Sequence, residues 1–202
     1  MIIADEIFRF DSDVAFLVGE FKKLDGVEIG VAKQEHILAA EALGFRLFRS
    51  TERLIRAIFL ESCVFERTPA GKKIESKIKC ADHILAENIL KFGKNFMDWG
   101  RVDNIRELSN LVFDNGFPMI DVISPLNSTL VDLHRIRNFI AHDSSEAKSG
   151  FEKVIANYLV PSVTDPVTAG ELLLSRRAPN KPKVASMIAT KVSGLTSIYL
   201  SL

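Results

Sequence analysis

Within Leu133–Asp143 the chain gathers His134, Arg135, Arg137, Asn138 and His142. No other stretch of the sequence brings so many chemically able side chains into so short a span. Histidine is the side chain whose ordinary titration range spans neutral pH, so it can take and give a proton there. Arginine stays charged and presents a planar fork of N–H donors that matches phosphate oxygens. Together they suit cleavage of a phosphodiester without a metal. The histidine would move the 2′-hydroxyl or leaving-group proton, and the arginine would stabilise charge on the non-bridging oxygens. No cysteine or histidine spacing of the zinc-binding kind is present, and neither a metal nor a cofactor is expected.

On a helix, Arg135, Asn138 and His142 fall at i, i+3 and i+7 and share a face, while His134, Asn138 and His142 are spaced by fours. Arg137 lies roughly 140° from His142 on an ideal helix, so only fraying near Ala141 would bring the two together. A plainer explanation stands beside the chemical one. Basic side chains in a last helical turn complement the helix dipole by about 0.3–1 kcal/mol. The same polar residues could also line the seam of a helical dimer. Spacing alone leaves both readings open.

A second feature is a stripe of Arg46, Arg49, Arg53 and Arg56, at i, i+3, i+7 and i+10. It reads either as a solvated charged face or as a ridge that contacts RNA phosphates. Glu52 precedes Arg56 by four residues, in the orientation that favours an ion pair.

The elements that must position these residues read as helices. Asp11-Ser12 offers an N-cap for a helix through Val14, Leu17, Val18, Phe21 and Leu24, with Gly26 and Gly30 bracketing a turn. A long helix is expected from about Val31 to about Arg67, apolar around much of its circumference. Thr68–Gly71 breaks it, and Lys72, Lys73, Lys77 and Lys79 opposite Ile74, Ile78 and Ile84 suggest a basic surface helix. Gly93 and Gly100 punctuate the next region. A further helix is expected from about Arg101 to Phe113, ended by Asp114-Asn115-Gly116 and Pro118. Ser124-Pro125 reads as a helix start leading to His142. Asp143-Ser144-Ser145 would cap a helix across Glu146 to Leu159. Pro161 and Pro166 frame a loop before a short helix over Val167–Leu174. No alternating pattern supports a sheet, so the fold class is all-α.

Arg137-Asn138-Phe139-Ile140-Ala141-His142 resembles the R-x4-6-H signature of the HEPN superfamily, including the polar residue after the arginine. The resemblance spans about residues 31–160. It implies a helical bundle that usually dimerises and, in many members, a metal-independent endoribonuclease in toxin–antitoxin, abortive-infection or other defence systems. Other members have lost activity and act as binding or regulatory modules. By position, the resemblance makes His142 the acid/base and Arg137 the phosphate ligand, and has Asn138 orient the scissile group. Arg135 stands at the longer permitted spacing as the alternative arginine, with His134 accessory. Ser144 replaces the tyrosine found two residues after the histidine in one toxin subset. A looser similarity to mannitol-repressor-like regulators covers the segment from Asn138 to Asp143.

At 202 residues the chain can bury a full core. A single helical domain is expected over 1–175, then a linker-like stretch over 176–183. A C-terminal helix over 184–202 would dock on its own body or on a partner. Lys plus Arg and Asp plus Glu both number 26, so no global field draws the chain to nucleic acid, and any RNA site must be local. Cys63 and Cys80 lie in apolar-periodic segments and are expected to be reduced and buried. Acids follow the N-terminus too closely for a signal peptide, and no apolar run reaches a membrane span, which gives a cytoplasmic expectation. The expected partners are a second copy of the chain, RNA, and an antitoxin or regulatory protein.

Overall fold

A computed structural model describes residues 3–28, 31–91, 97–160 and 168–202. Its regular structure is helical, as expected: α1 (Ile3–Lys23), α2 (Gln34–Val64), α3 (His83–Lys91), α4 (Val102–Val112), α5 (Met119–Ile123), α6 (Asn127–Ala141), α7 (Ser145–Tyr158), α8 (Ala169–Leu174), α9 (Val184–Val192) and α10 (Gly194–Ser201). Gly30, Gly93, the loop framed by Pro161 and Pro166, and Val167 lie outside the described residues. No described helix is long and apolar enough to cross a membrane.

The chain forms two compact units. The first comprises Met1–Asp11, Thr51–Leu130 and Ser193–Leu202. Its buried side chains include Phe10, Ile58, Trp99, Ile105, Met119 and Leu195. At its centre the Phe59 ring lies 5.3 Å from Trp99 and 5.1 Å from Phe113, both tilted, an arrangement that aromatic quadrupoles favour. Asn115 and Gly116, both at positive φ, end α4 and turn the chain into α5. The φ of +70° at Gly116 is what the turn needs glycine for, and a Cβ there would also press on the Ile120 side chain. The C-terminal α10 packs on α5.

Ser12–Ser50 and Val131–Val192 make up the second unit. Val14, Leu17, Phe21, Leu47, Leu133, Ile136, Phe151 and Val154 are among its buried side chains, and α8 packs on α9. Thr168 starts α8 with a capping box: its hydroxyl accepts from Glu171 N, and its own N–H donates to the Glu171 carboxylate. The stretch 176–183, which reads as a linker, carries fixed contacts within this unit. Lys183 is 2% exposed, and its Nζ donates to the carbonyls of Leu24, at 2.7 Å, and Val27. Arg176 donates to Asp25 O at 2.8 Å. The C-terminal segment itself is two helices, broken at Ser193, and both contact the chain's own body.

Three local expectations need correction. The first helix starts at Ile3, so Asp11 and Ser12 are interior to it; the Asp11 carboxylate accepts instead from Thr196 Oγ1 at 3.0 Å. Ser124 is not an N-cap: it has helical φ and ψ and closes α5, while a 3-10 turn over Ser124–Leu126, with Pro125 in its first turn, does start there and leads into α6. The basic segment after Gly71 is not a helix. Ile74 and Cys80 are buried and Ser76 and Ile78 half-buried, while Lys73, Glu75, Lys77 and Lys79 between them are exposed. That period of two marks extended chain, and its backbone bonds run to the end of α4 (Lys77 N to Val112 O, Asp114 N to Glu75 O, each 2.8 Å).

Candidate functional site

The site is built where α6 stops. The last helical residue is Ala141, and His142 N still donates to Asn138 O at 2.9 Å. Asp143 and Ser144 then turn the chain, and Ser144 Oγ caps α7 by accepting from Ala147 N at 3.1 Å. Phe139 and Phe151 stack at 4.0 Å with ring planes 2° apart, which fixes the end of α6 against α7. His142 is therefore an exposed side chain on a rigid corner.

The helix end decides the geometry. An uninterrupted helix would separate Arg137 from His142, yet Arg137 Nη1 lies 3.4 Å from His142 Nε2 and 2.9 Å from Asn138 Oδ1. Because the guanidinium only donates, this contact has His142 Nε2 accepting, with the lone pair that can take a proton. Arg137 itself is half-buried. Its Cζ stands 5.5 Å from the centre of the Phe48 ring, a cation–π contact, and its Nε is buried with no hydrogen-bond partner among the described residues.

Arg135 points elsewhere. Its Nη1 donates to Asp132 Oδ1 at 3.2 Å, and Asp132, 3% exposed, also accepts from Asn157 Nδ2 at 3.1 Å on each oxygen. Burial holds the Asp132 carboxyl above the ordinary range, against the opposing pull of Asn157 and Arg135. Arg135, Asn138 and His142 line one recess of about 150 Å³ together with Ser144, Glu146 and Ala147. The Glu146 carboxylate is held low by its own backbone N–H and the hydroxyls of Ser144 and Ser145. His134 sits beside Asn138, Nδ1 to Nδ2 3.4 Å, with its ring centre 6.0 Å from that of Phe48.

The arginine stripe is bound up with acids. In the second unit Arg46 pairs with Asp13 at 3.3 Å, and its Cζ stands 5.0 Å from the centre of the exposed Phe16 ring. In the first unit Arg53 pairs with Glu6 at 3.0 Å and Arg56 with Glu87 at 2.5 Å. Arg56 thus reaches an acid on α3. Arg49 is exposed. Both cysteines are reduced and buried. Among the described residues no group of three His, Cys, Asp or Glu side chains could hold a metal ion.

Sequence reasoning missed Phe48, Asp132 and Asn157. The Asp132-to-Arg135 spacing of i, i+3 was a legible signal for one of them. Nothing local marked the other two.

No protein-family model, curated protein or solved structure matches this chain.

Proposed function

We propose that the chain is a metal-independent endoribonuclease of the HEPN kind, acting as a toxin or in defence, and working as a homodimer on RNA. One observation carries the reading: Arg137, Asn138 and His142 meet at an exposed helix end beside an open recess. In the reaction the 2′-oxygen attacks the adjacent phosphorus and the bond to the 5′-oxygen breaks, leaving a 2′,3′-cyclic phosphate. Once Arg137 turns from His142 to the phosphate, the freed Nε2 lone pair takes the 2′-hydroxyl proton, and the leaving 5′-oxygen gains a proton from the imidazolium or from water. Arg137, with Asn138 beside it, stabilises the charge that builds on the phosphate oxygens.

A second reading belongs to another class: a catalytically silent helical module that dimerises or binds a regulatory protein. It is favoured by the stripe, where Arg46, Arg53 and Arg56 are each paired with a carboxylate, and by Arg137's place over Phe48. Incubating the purified chain with structured RNA in EDTA separates the two. The enzyme reading expects cleavage to 2′,3′-cyclic ends that is lost in His142→Ala and reduced at least 100-fold in Arg137→Ala, the scale of a lost acid/base or charge-stabilising group. No cleavage by the wild type, or cleavage untouched by both changes, leaves the silent module.

A further inference from the structure

We infer that the recess at the end of α6 is a phosphate-binding pocket, in which Arg135 is a direct ligand beside Asn138 and His142, and Asp132 and Asn157 are the residues that position Arg135. The inference deepens the reading above, and rests on it for the identity of the phosphate as part of an RNA chain.

Donor chemistry carries the argument. The open recess, of about 150 Å³, has room for a phosphate group. The residues that line it supply the Arg135 fork, the Asn138 amide and the His142 ring, which are donor types that bind phosphate oxygens. Arg135 is not tied up. Asp132 engages only its Nη1, and among the described residues its Nε and Nη2 have no protein partner. Arg137 is placed differently: it lies over Phe48 and does not line the recess. The two arginines therefore divide the work. Arg135 grips the phosphate, and Arg137 holds the His142 ring and meets charge as it develops.

The support behind Arg135 is unusual for a surface arginine. A carboxylate is costly to bury, and it persists inside a protein when it is fully bonded. Asp132 receives both its Asn157 contacts from across the α6–α7 packing and gives its remaining capacity to Arg135. The stem of Arg135 passes beside Gly150 of α7. With one edge of the guanidinium held by Asp132, the other edge is presented at lower entropic cost, which is what a preorganised anion ligand needs. Glu146 works against binding, because its carboxylate lies at the same recess.

The test reads binding without requiring cleavage. The His142 ring signal, assigned by its loss in His142→Ala, is followed by NMR in the full chain. The titrants are inorganic phosphate and a 2′-O-methyl dinucleotide, which cannot be cut. The expected result is a saturable shift with both, weakened at least tenfold in Arg135→Ala and by a smaller factor in Arg137→Ala. Asp132→Asn, with an unchanged melting temperature, should weaken binding severalfold, and Glu146→Gln should tighten it. If Asp132→Asn does not fold, Asn157→Ala carries the same expectation. A shift that never saturates, Arg137→Ala weakening binding more than Arg135→Ala, or full-strength binding in the positioning variant would each overturn the inference. A response to inorganic phosphate but not to the dinucleotide would also overturn it, since a free anion would then be the ligand. Phosphate and dinucleotide binding as expected, with no RNA cleavage by the wild type, would leave the pocket standing and remove the ribonuclease reading alone.

Discussion

Arg137 reaches His142 only because other groups hold it in place. The guanidinium lies over the Phe48 ring, and its Nη1 serves both Asn138 and His142. A half-desolvated cation–π contact contributes about 0.5–2 kcal/mol. If that contact orients Arg137 for catalysis, Phe48→Leu should lower kcat/KM for RNA cleavage by roughly 2- to 30-fold, the rate equivalent of that energy. Leucine keeps Phe48's place in the core apolar, so the folding cost should stay below about 1.5 kcal/mol. Single-turnover cleavage beside a urea melt checks both numbers. Undiminished cleavage would mean that Phe48 serves packing alone. The sequence hid this relation, since Phe48 is distant from Arg137 along the chain and nothing in its surroundings marks it. It did show the corner at residues 141–144, through the Asp143-Ser144-Ser145 cap signal. That corner is what converts an unfavourable angular separation into a contact.

Between elements, close approach is set by glycine at two positions of the second unit, and they should respond differently to the same change. A Cβ at Gly170 of α8 would meet the backbone oxygen of Ile37 in α2 at 2.3 Å and its carbonyl carbon at 2.9 Å. Backbone cannot step aside, so α8 must shift, and Gly170 N would be drawn from its 3.1 Å bond to Glu41. A Cβ at Gly44 would meet only Leu173 Cδ1, at 2.7 Å, and that is the movable end of a side chain. Alanine also gains up to about 1 kcal/mol over glycine within a helix. Gly170→Ala is therefore expected to destabilise by about 1–3 kcal/mol, as overpacking does, and Gly44→Ala to stay within about 1 kcal/mol of the wild type. Thermal melts of the two variants decide it; equal losses would show that α8 yields as easily as a leucine methyl. Most helices were legible because their apolar residues repeat at helical spacing and their caps are local. The segment after Gly71 was not, because Ile74 and Ile78 fit a helical spacing of four as well as two steps of an extended chain. Backbone pairing to the end of α4 settled between them, and that is a contact between distant parts of the sequence.

Across the whole chain the balance of 26 basic and 26 acidic residues leaves recognition to local geometry, which is why the candidate site could be read from one short segment. The arginine stripe shows the limit of such reading. Periodicity placed the four side chains on one face of α2, but the acids that meet Arg46, Arg53 and Arg56 in these pairs come from α1 and α3, which no local pattern announces. The two thiols give the chain a pH response of defined sign. Burial, with Cys80 nearby, pushes the Cys63 thiol up from 9.0 to about 12. Between these values the unfolded chain loses the Cys63 proton while the folded chain keeps it. The folded state then binds more protons, so stability must fall as pH rises. The loss begins near pH 9 and steepens toward about 1.4 kcal/mol per pH unit from this group alone, with the raised Cys80 and Tyr199 groups acting in the same direction. Below pH 8 Cys63 contributes no slope. Cys63→Ala removes its share, so urea unfolding free energies taken from pH 8 to 11 should fall less steeply in the variant, even though its stability at pH 8 starts lower by the small cavity it leaves. Parallel slopes in the two proteins would show that the Cys63 thiol is open to water in the folded chain.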